Sequence, residues 1–140
     1  MKRMYRRFLS VLAALCLCLF IGGCSMFDTS DKKISDMEFT VADAEELPEE
    51  IKAMIEERKN EAFQMAYHDG NYSYIIVGYG QQETSGYSIQ VNDVYQGENG
   101  IWVDTDLIGP EKSETTEAVA SYPFVVIKIE SVDQTIRFKS

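Results

Sequence analysis

The chain has 140 residues, 13 basic against 23 acidic side chains, and a formal net charge of −10. This length suits one domain with a modest core. The acidic balance argues against a nucleic-acid partner, because binding to phosphate needs a basic patch.

The N-terminus has the composition of an export signal. Four basic residues (Lys2, Arg3, Arg6 and Arg7) precede an apolar stretch at 8–23. That stretch is shorter than the roughly 20 residues that a membrane-spanning helix needs. Residues 1–23 are therefore predicted to be a signal peptide that is removed after export.

The end of this stretch resembles a bacterial lipobox, because Ile21-Gly22-Gly23 places an aliphatic and two small residues before Cys24. The prediction is lipidation at Cys24, while Cys16 and Cys18 are apolar residues of the signal. Acylation would give the two or more lipid chains that stable anchoring needs. We expect a chain held at the extracytoplasmic side of a membrane in the bacterial cell envelope, although an ordinary secretory signal also fits.

Removal of the signal makes the chain more acidic and leaves no cysteine for a disulfide. The remaining 117 residues have nine basic and 23 acidic side chains, a net charge of −14. Residues 24–37 are predicted to be a tether and 38–140 a folded domain. The acidic segment at 43–57 suits a solvated helix face or a contact with a basic partner.

The folded part contains one helical pattern followed by several strand patterns. Pro48 suits a helix start, and Ile51, Met54 and Ile55 recur at helical spacing, which predicts a helix at about 48–60. Short runs that alternate with a period of two then continue to the C-terminus. The predicted fold class is mainly β, a small antiparallel β-sandwich or barrel-like domain with one N-terminal α-helix packed against it.

The sequence offers few residues for catalytic chemistry. His68 is the only histidine, and the sequence around it predicts a turn, so we expect no catalytic residue, no enzymatic activity, no metal site and no cofactor. Asp104 and Asp106 share one strand face and fit either a solvated face or an ion-binding pair. Trp102 lies on the same outward phase and could anchor a partner or lie under the helix.

A polar loop, Gln81 to Gly86, joins two strand patterns and precedes Tyr87. The segment "YIIVGYGQQETSGYSIQV", a later "IGP" and then "SYPFVVIKI" resemble the C-terminal domain of the PrcB family of bacterial protease-complex subunits. The resemblance covers about 72–130. Its matching elements are Gly80, Thr84-Ser85-Gly86-Tyr87, Pro110 and Tyr122-Pro123-Phe124.

The resemblance implies a non-enzymatic accessory lipoprotein that binds a protein partner, a surface serine protease, with no small-molecule substrate. A second resemblance is to chagasin-type inhibitors of cysteine proteases, which present two loops from one end of a sandwich. Their loops align with residues 82–87 and with Tyr122-Pro123-Phe124, although the inhibitors' Asn-Pro start and arginine are absent. This resemblance implies one protein-binding edge that contains Thr84, Ser85, Gly86, Tyr87, Tyr122, Pro123 and Phe124, with protease inhibition as the alternative function.

Two interpretations of the first loop fit the sequence. It could be a plain turn with Tyr87 packed inward, or a contact surface formed by Thr84 and Ser85. The two are compatible, because one side chain can pack inward while its neighbours face a partner.

Overall fold

A computed structural model describes residues 31–139. The predicted signal peptide, the predicted lipidation site Cys24 and the first part of the predicted tether lie outside these residues. Within 31–139, no helix is both long enough and apolar enough to cross a membrane.

Eight strands and one α-helix make up the described part of the chain. The helix α1 spans Glu49–Arg58, after a short 3-10 helix at Ala44–Glu46. The strands are β1 (Lys33–Asp36), β2 (Thr40–Val41), β3 (Ala62–His68), β4 (Tyr72–Tyr79), β5 (Ser88–Gly97), β6 (Gly100–Ile108), β7 (Phe124–Glu130) and β8 (Ile136–Phe138).

These strands form two four-stranded sheets. The first sheet has the order β1-β5-β6-β8 and the second has the order β2-β7-β4-β3. Every pairing is antiparallel except that of β8, which runs parallel to β6. The predicted fold class, a mainly β sandwich with one helix, is confirmed; the parallel pair is the departure from a fully antiparallel arrangement.

The second sheet is covered on both faces, which explains the composition of its central strand. Ile75 and Val77 of β4 face the first sheet, in a core that includes Val94 and Ile127. Tyr74 and Ile76 face the opposite way and pack with buried residues of and before α1, namely Leu47, Ile51 and Ile55. A strand buried on both faces has a continuous apolar run instead of alternation, as "YIIV" does. Each such isoleucine stabilises the fold by about 1.5–3 kcal/mol.

A β-bulge in β5 changes which side chains of that strand face the core. The register with β6 shifts between Val91 and Asp93, so Asn92 is the extra residue. Before the bulge Val91 packs on the core, and after it Val94 does so. One extra residue reverses the phase of a strand, because side chains alternate with a period of two.

Trp102 adopts neither of its predicted roles. Its side chain is 7% exposed, so it offers little surface to a partner. It stacks on Tyr95 with a ring separation of 6.5 Å, on the face of the first sheet away from the core, whereas α1 packs on the second sheet. An aromatic pair across neighbouring strands therefore covers that face.

The first sheet begins earlier than the sequence predicts. β1 lies inside the range predicted as a tether (24–37) and pairs with β5 from Lys33 to Asp36. All four of its residues are exposed, and Lys33 forms ion pairs with Asp36 and Asp93. A charged, exposed strand has the composition of a solvated segment, which is why the pattern does not reveal it.

Candidate binding edge

The loop after β4 and the segment before β7 lie side by side. Gln82 and Ser121 form an isolated antiparallel bridge in which each backbone N–H donates to the other residue's carbonyl, at 2.8 and 3.0 Å. The two loops that the sequence predicts as one edge are therefore at the same end of the sandwich. We call residues 80–87 together with 109–123 the loop edge.

Thr84 and Ser85 hold the loop edge together. The Ser121 hydroxyl donates to the carbonyl of Thr84 at 2.7 Å. The Ser85 hydroxyl accepts from the backbone N–H of Glu117 at 2.9 Å, and the Ser85 N–H donates to the carbonyl of Glu117 at 3.1 Å. Both residues are half-buried. Their backbone groups and the Ser85 hydroxyl thus join the two loops, whether or not these residues also contact a partner.

Gly86 and Tyr87 pack against the segment that follows β6. Gly86 has a φ of +90°, and a Cβ atom there would lie 2.9 Å from the Cβ atom of Pro110. The half-buried ring of Tyr87 lies over Gly109, at 3.5 Å from where a Cβ atom would stand. The resemblance therefore names residues that contact each other, Gly86 and Pro110, although 24 positions separate them in the chain.

The three residues of the second predicted motif have three different positions. The ring of Tyr122 lies 4.9 Å below the Lys59 ammonium group at the end of α1. Pro123 accepts a hydrogen bond from the N–H of Tyr79 at 3.0 Å. Phe124 packs on the core between α1 and the second sheet. Tyr122 is therefore the member that belongs to the surface of the loop edge.

The exposed surface of the loop edge is acidic and includes isolated apolar side chains. Val119 is 59% exposed, in the short stretch between the anchor points Glu117 and Ser121, and Ile108 is 44% exposed at the adjoining end of β6. Four exposed glutamates and one exposed lysine give this surface a net charge of −3: Glu83, Glu111, Glu114, Glu117 and Lys112. Sequence reasoning missed Val119 because an isolated valine in a polar segment has no periodic pattern.

The remaining candidate residues make local side-chain contacts. Nδ1 of His68 lies 2.7 Å from Oγ of the buried Ser73, and the side-chain amide of Asn92 donates to both Asp104 and Asp106, at 3.3 and 2.8 Å. Asp104 and Asp106 thus lie on one face of β6, as the alternation predicts. Among residues 31–139, no three histidine, cysteine, aspartate or glutamate side chains come together as a group that could hold a metal ion.

The turn predicted beside His68 is built by Asp69. Its carboxylate accepts from the N–H groups of Asn71 and Tyr72 at 2.9 and 2.8 Å, and from the hydroxyl of Tyr74 at 3.3 Å. These bonds, above all the one from Tyr72, lower the pKa of the Asp69 carboxyl below its ordinary value. The ionised carboxylate therefore stabilises the β3–β4 hairpin.

Replacing Asp69 with asparagine should lower the melting temperature at pH 7, by an amount that shrinks in acid. A carboxyl whose folded pKa is below its unfolded value stabilises the fold above the unfolded pKa, near 3.9, and this is lost as pH falls through the folded pKa. Thermal unfolding of the wild-type and variant chains between pH 7 and pH 2 measures the difference in melting temperature. Glu98→Gln, at an exposed position of another hairpin, is the control and should leave the curve unchanged. A difference in melting temperature that does not change with pH would show that the charge of Asp69 is not what stabilises the turn.

The fold and the joined loops define a class, a small β-sandwich that presents an ordered loop edge. Residues 73–130 match the family model described as PrcB C-terminal. This match confirms the resemblance to the PrcB C-terminal domain that the sequence predicts, over residues 73–130. The match begins in β4 and ends with β7, so it contains the whole loop edge. No curated protein and no solved structure matches the chain in the other two comparisons.

Proposed function

We propose that the protein is a lipid-anchored, non-enzymatic accessory subunit of an extracytoplasmic protease complex and that it binds its partner through the loop edge. The PrcB C-terminal domain relates the chain to protease-complex proteins. The observation that carries the proposal is the joining of the two loops inside that domain by the Gln82–Ser121 bridge.

The loop edge has the physical properties of a binding surface. Its two loops are tied to each other by five hydrogen bonds, so little conformational entropy is lost when a partner is bound. Val119 offers exposed apolar area, and the exposed glutamates of the loop edge give this surface its acidic character. Such a surface fits a partner with basic side chains around a small apolar contact, because complementary charges speed association and select the partner.

Reversing the charge of the loop edge should reduce partner capture at least tenfold, on the order of 1.4 kcal/mol of binding free energy or more. The variant is Glu83→Lys with Glu111→Lys and Glu117→Lys, all exposed. The full chain is cross-linked in native membranes and the captured proteins are identified by mass spectrometry. We expect a protease among the proteins captured by the wild-type chain.

The matched control changes the same number of charges at exposed glutamates outside the loop edge and outside the helix N-termini, with Glu38→Lys, Glu98→Lys and Glu130→Lys. The control should retain capture, and both variants should keep their melting temperature within the small range typical of exposed substitutions. Undiminished capture by the loop-edge variant would remove the loop edge from the contact. Partners without a protease among them would contradict the accessory role.

Protease inhibition is the second candidate function, and the adjacency of the two loops favours it as well. Chagasin-type inhibitors use two loops at one end of a sandwich, and here residues 82–87 adjoin the segment before β7. The chain lacks the Asn-Pro start and the arginine of those loops. Titration against panels of cysteine and serine proteases separates the two functions, because an inhibitor reduces protease activity in proportion to its amount and an accessory subunit does not.

Replacing Cys24 with serine should release the chain from the membrane fraction or leave it as an unprocessed precursor. The motivation is the Ile21-Gly22-Gly23-Cys24 segment, since serine has no thiol to acylate. Cell fractionation and the mass of the N-terminal peptide measure the outcome. Cys18→Ser is the control and should behave as the wild-type chain. Normal processing and membrane retention of the Cys24 variant would contradict the lipid anchor.

A further inference from the structure

β3 differs from the other strands at the edges of the two described sheets. β1 has charges at both ends, β2 has two residues, and β8 has three residues that include an arginine. β3 has seven residues, Ala-Phe-Gln-Met-Ala-Tyr-His, and pairs with β4 from Ala62 to His68 without a bulge. It has no lysine, acidic residue or proline, the features that usually protect an edge from pairing with another chain.

The backbone of β3 offers regularly spaced hydrogen-bonding groups on its outer side. The N–H of Tyr79 donates to Pro123, so Tyr79 directs its backbone groups toward β7 and not toward its β3 neighbour Ala62. Alternate residues of an antiparallel strand bond to opposite sides. The residues whose backbone groups point away from β4 are therefore Ala62, Gln64, Ala66 and His68.

The side chains of these four residues are also uncovered. Gln64 is paired with Val77 and Ala66 with Ile75, so they share the face that β4 turns toward the first sheet. Val77 and Ile75 are buried, whereas all four β3 side chains on this face are exposed. The first sheet thus covers β4 but does not extend over β3.

We propose that β3 pairs with β3 of a second copy of this chain, in an antiparallel arrangement centred on Met65. In this register Ala62 is opposite His68 of the second copy and Gln64 is opposite Ala66. All four outward-facing residues then exchange backbone hydrogen bonds in pairs. The second sheets of the two copies join into one continuous sheet. A two-fold axis is allowed because each of the four residues has a partner from the same set.

The charge distribution distinguishes β3 as a surface at which two copies of the chain can approach each other. Residues 31–139 have nine basic and 22 acidic side chains, a net charge of −13, so most approaches of two copies bring like charges together. The strand β3 has no charged residue that would repel its copy. On the face toward α1, Phe63 would meet Tyr67 of the second copy, and aromatic pairs of this kind stabilise neighbouring strands.

The residues that flank the strand add a dependence on salt. Glu61 precedes β3 and Asp69 follows it, and the proposed register places Glu61 near Asp69 of the second copy. Like charges at both ends of the contact repel each other, and salt screens this repulsion. The proportion of dimer should therefore rise between 20 mM and 300 mM sodium chloride.

The test traps the register with a disulfide in the full chain, kept in its native membranes. Residues directly opposite each other in a non-hydrogen-bonded pair have Cα atoms about 4.5 Å apart, within the range of a disulfide. Met65→Cys should therefore give a dimer on mild oxidation, well above the background of the wild-type chain with its native cysteines. Ala53→Cys, exposed on α1, is the control and should give no more dimer than that background.

Two double substitutions at the exposed positions test the pairing without disturbing the core. In the Met65→Cys chain, Gln64→Glu with Ala66→Glu places two carboxylates opposite each other and should lower the dimer yield at least tenfold. Gln64→Lys with Ala66→Glu places opposite charges together and should restore it. Sedimentation of the detergent-purified chain without Met65→Cys, with and without the same charge pairs, checks the result independently of any effect of the cysteine on folding.

A monomeric chain in sedimentation, or a dimer whose yield ignores the charge pairs, would overturn the proposal. Equal trapping from Ala53→Cys would do the same, because it would show collision without a register. A monomer whose β3 variants lose a different protein would assign this edge to that protein's strand and would also overturn pairing with a second copy. The proposal does not depend on the loop edge, so the capture experiment and this one can fail separately.

Discussion

Replacing Gly100 with alanine should reduce the free energy of unfolding by about 3 kcal/mol or more, in the range that strained or overpacked sites reach. Gly100 closes the β5–β6 hairpin opposite Gly97 and has a φ of +137°, which side chains rarely adopt. A Cβ atom there would overlap the carbonyl oxygen of Thr135. That oxygen accepts from the N–H of Ile101 at 2.9 Å, just before β8 joins β6. The substitution therefore has to displace the segment that leads into β8. Chemical denaturation measures the loss.

Gly70→Ala is the matched control for this prediction. Gly70 also has a positive φ, +98°, but in the part of the chain that the structure describes a Cβ atom there would have no neighbour within 4 Å. Its cost should be limited to backbone strain, about 1 kcal/mol. Equal losses at the two positions would show that the backbone angle, and not the contact with Thr135, decides the effect at Gly100.

The local patterns predict the elements of this fold better than they predict how the elements meet. The helix and the strands with an apolar face have a clear period, and burial on both faces explains the unbroken run in β4. β1 lacks such a signal because all its residues are exposed. The parallel pairing of β8 depends on where the chain returns after β7, and no pattern in three residues encodes that. The bulge at Asn92 also lacks a local sign, because one extra residue leaves the composition unchanged.

The predicted site shows the same division. The two loops that the resemblance pairs do adjoin each other, since Gln82 and Ser121 are bridged. It treats Thr84 and Ser85 as contact residues, whereas the structure shows that Ser85 also bonds to Glu117, 32 positions later in the chain. Contacts between distant segments leave no periodic trace in a single sequence. In the sequence alone, charged residues such as Glu83 and Glu117 look like ordinary solvated side chains. They become a candidate surface only when the fold brings them together at one end of the sandwich.

Replacing Gly86 with valine should lower both stability and partner capture, unlike the charge reversal, which should lower capture alone. The φ of +90° disfavours a β-branched residue, and a Cβ atom at this position would lie 2.9 Å from Cβ of Pro110 and 3.4 Å from a methyl carbon of Thr116. The loop must therefore move away from the 109–117 segment, to which it is held by the hydrogen bonds between Ser85 and Glu117. We expect a loss of about 2–3 kcal/mol in unfolding free energy, since strain and overpacking add.

Gly109→Ala tests whether this effect belongs to the contact at Gly86 or to any added bulk between the same two segments. A Cβ atom at Gly109 would lie 3.5 Å from the Tyr87 ring, an ordinary van der Waals distance. This variant should change the unfolding free energy by less than about 0.5 kcal/mol, as substitutions away from strained sites do, and should retain capture. Because both glycines lie where the loop after β4 meets the segment after β6, a difference between them isolates the geometry of the turn. If Gly86→Val lost stability but kept full capture, the shape of this loop would not matter to the partner, and the binding surface would have to lie on the 109–123 side of the loop edge.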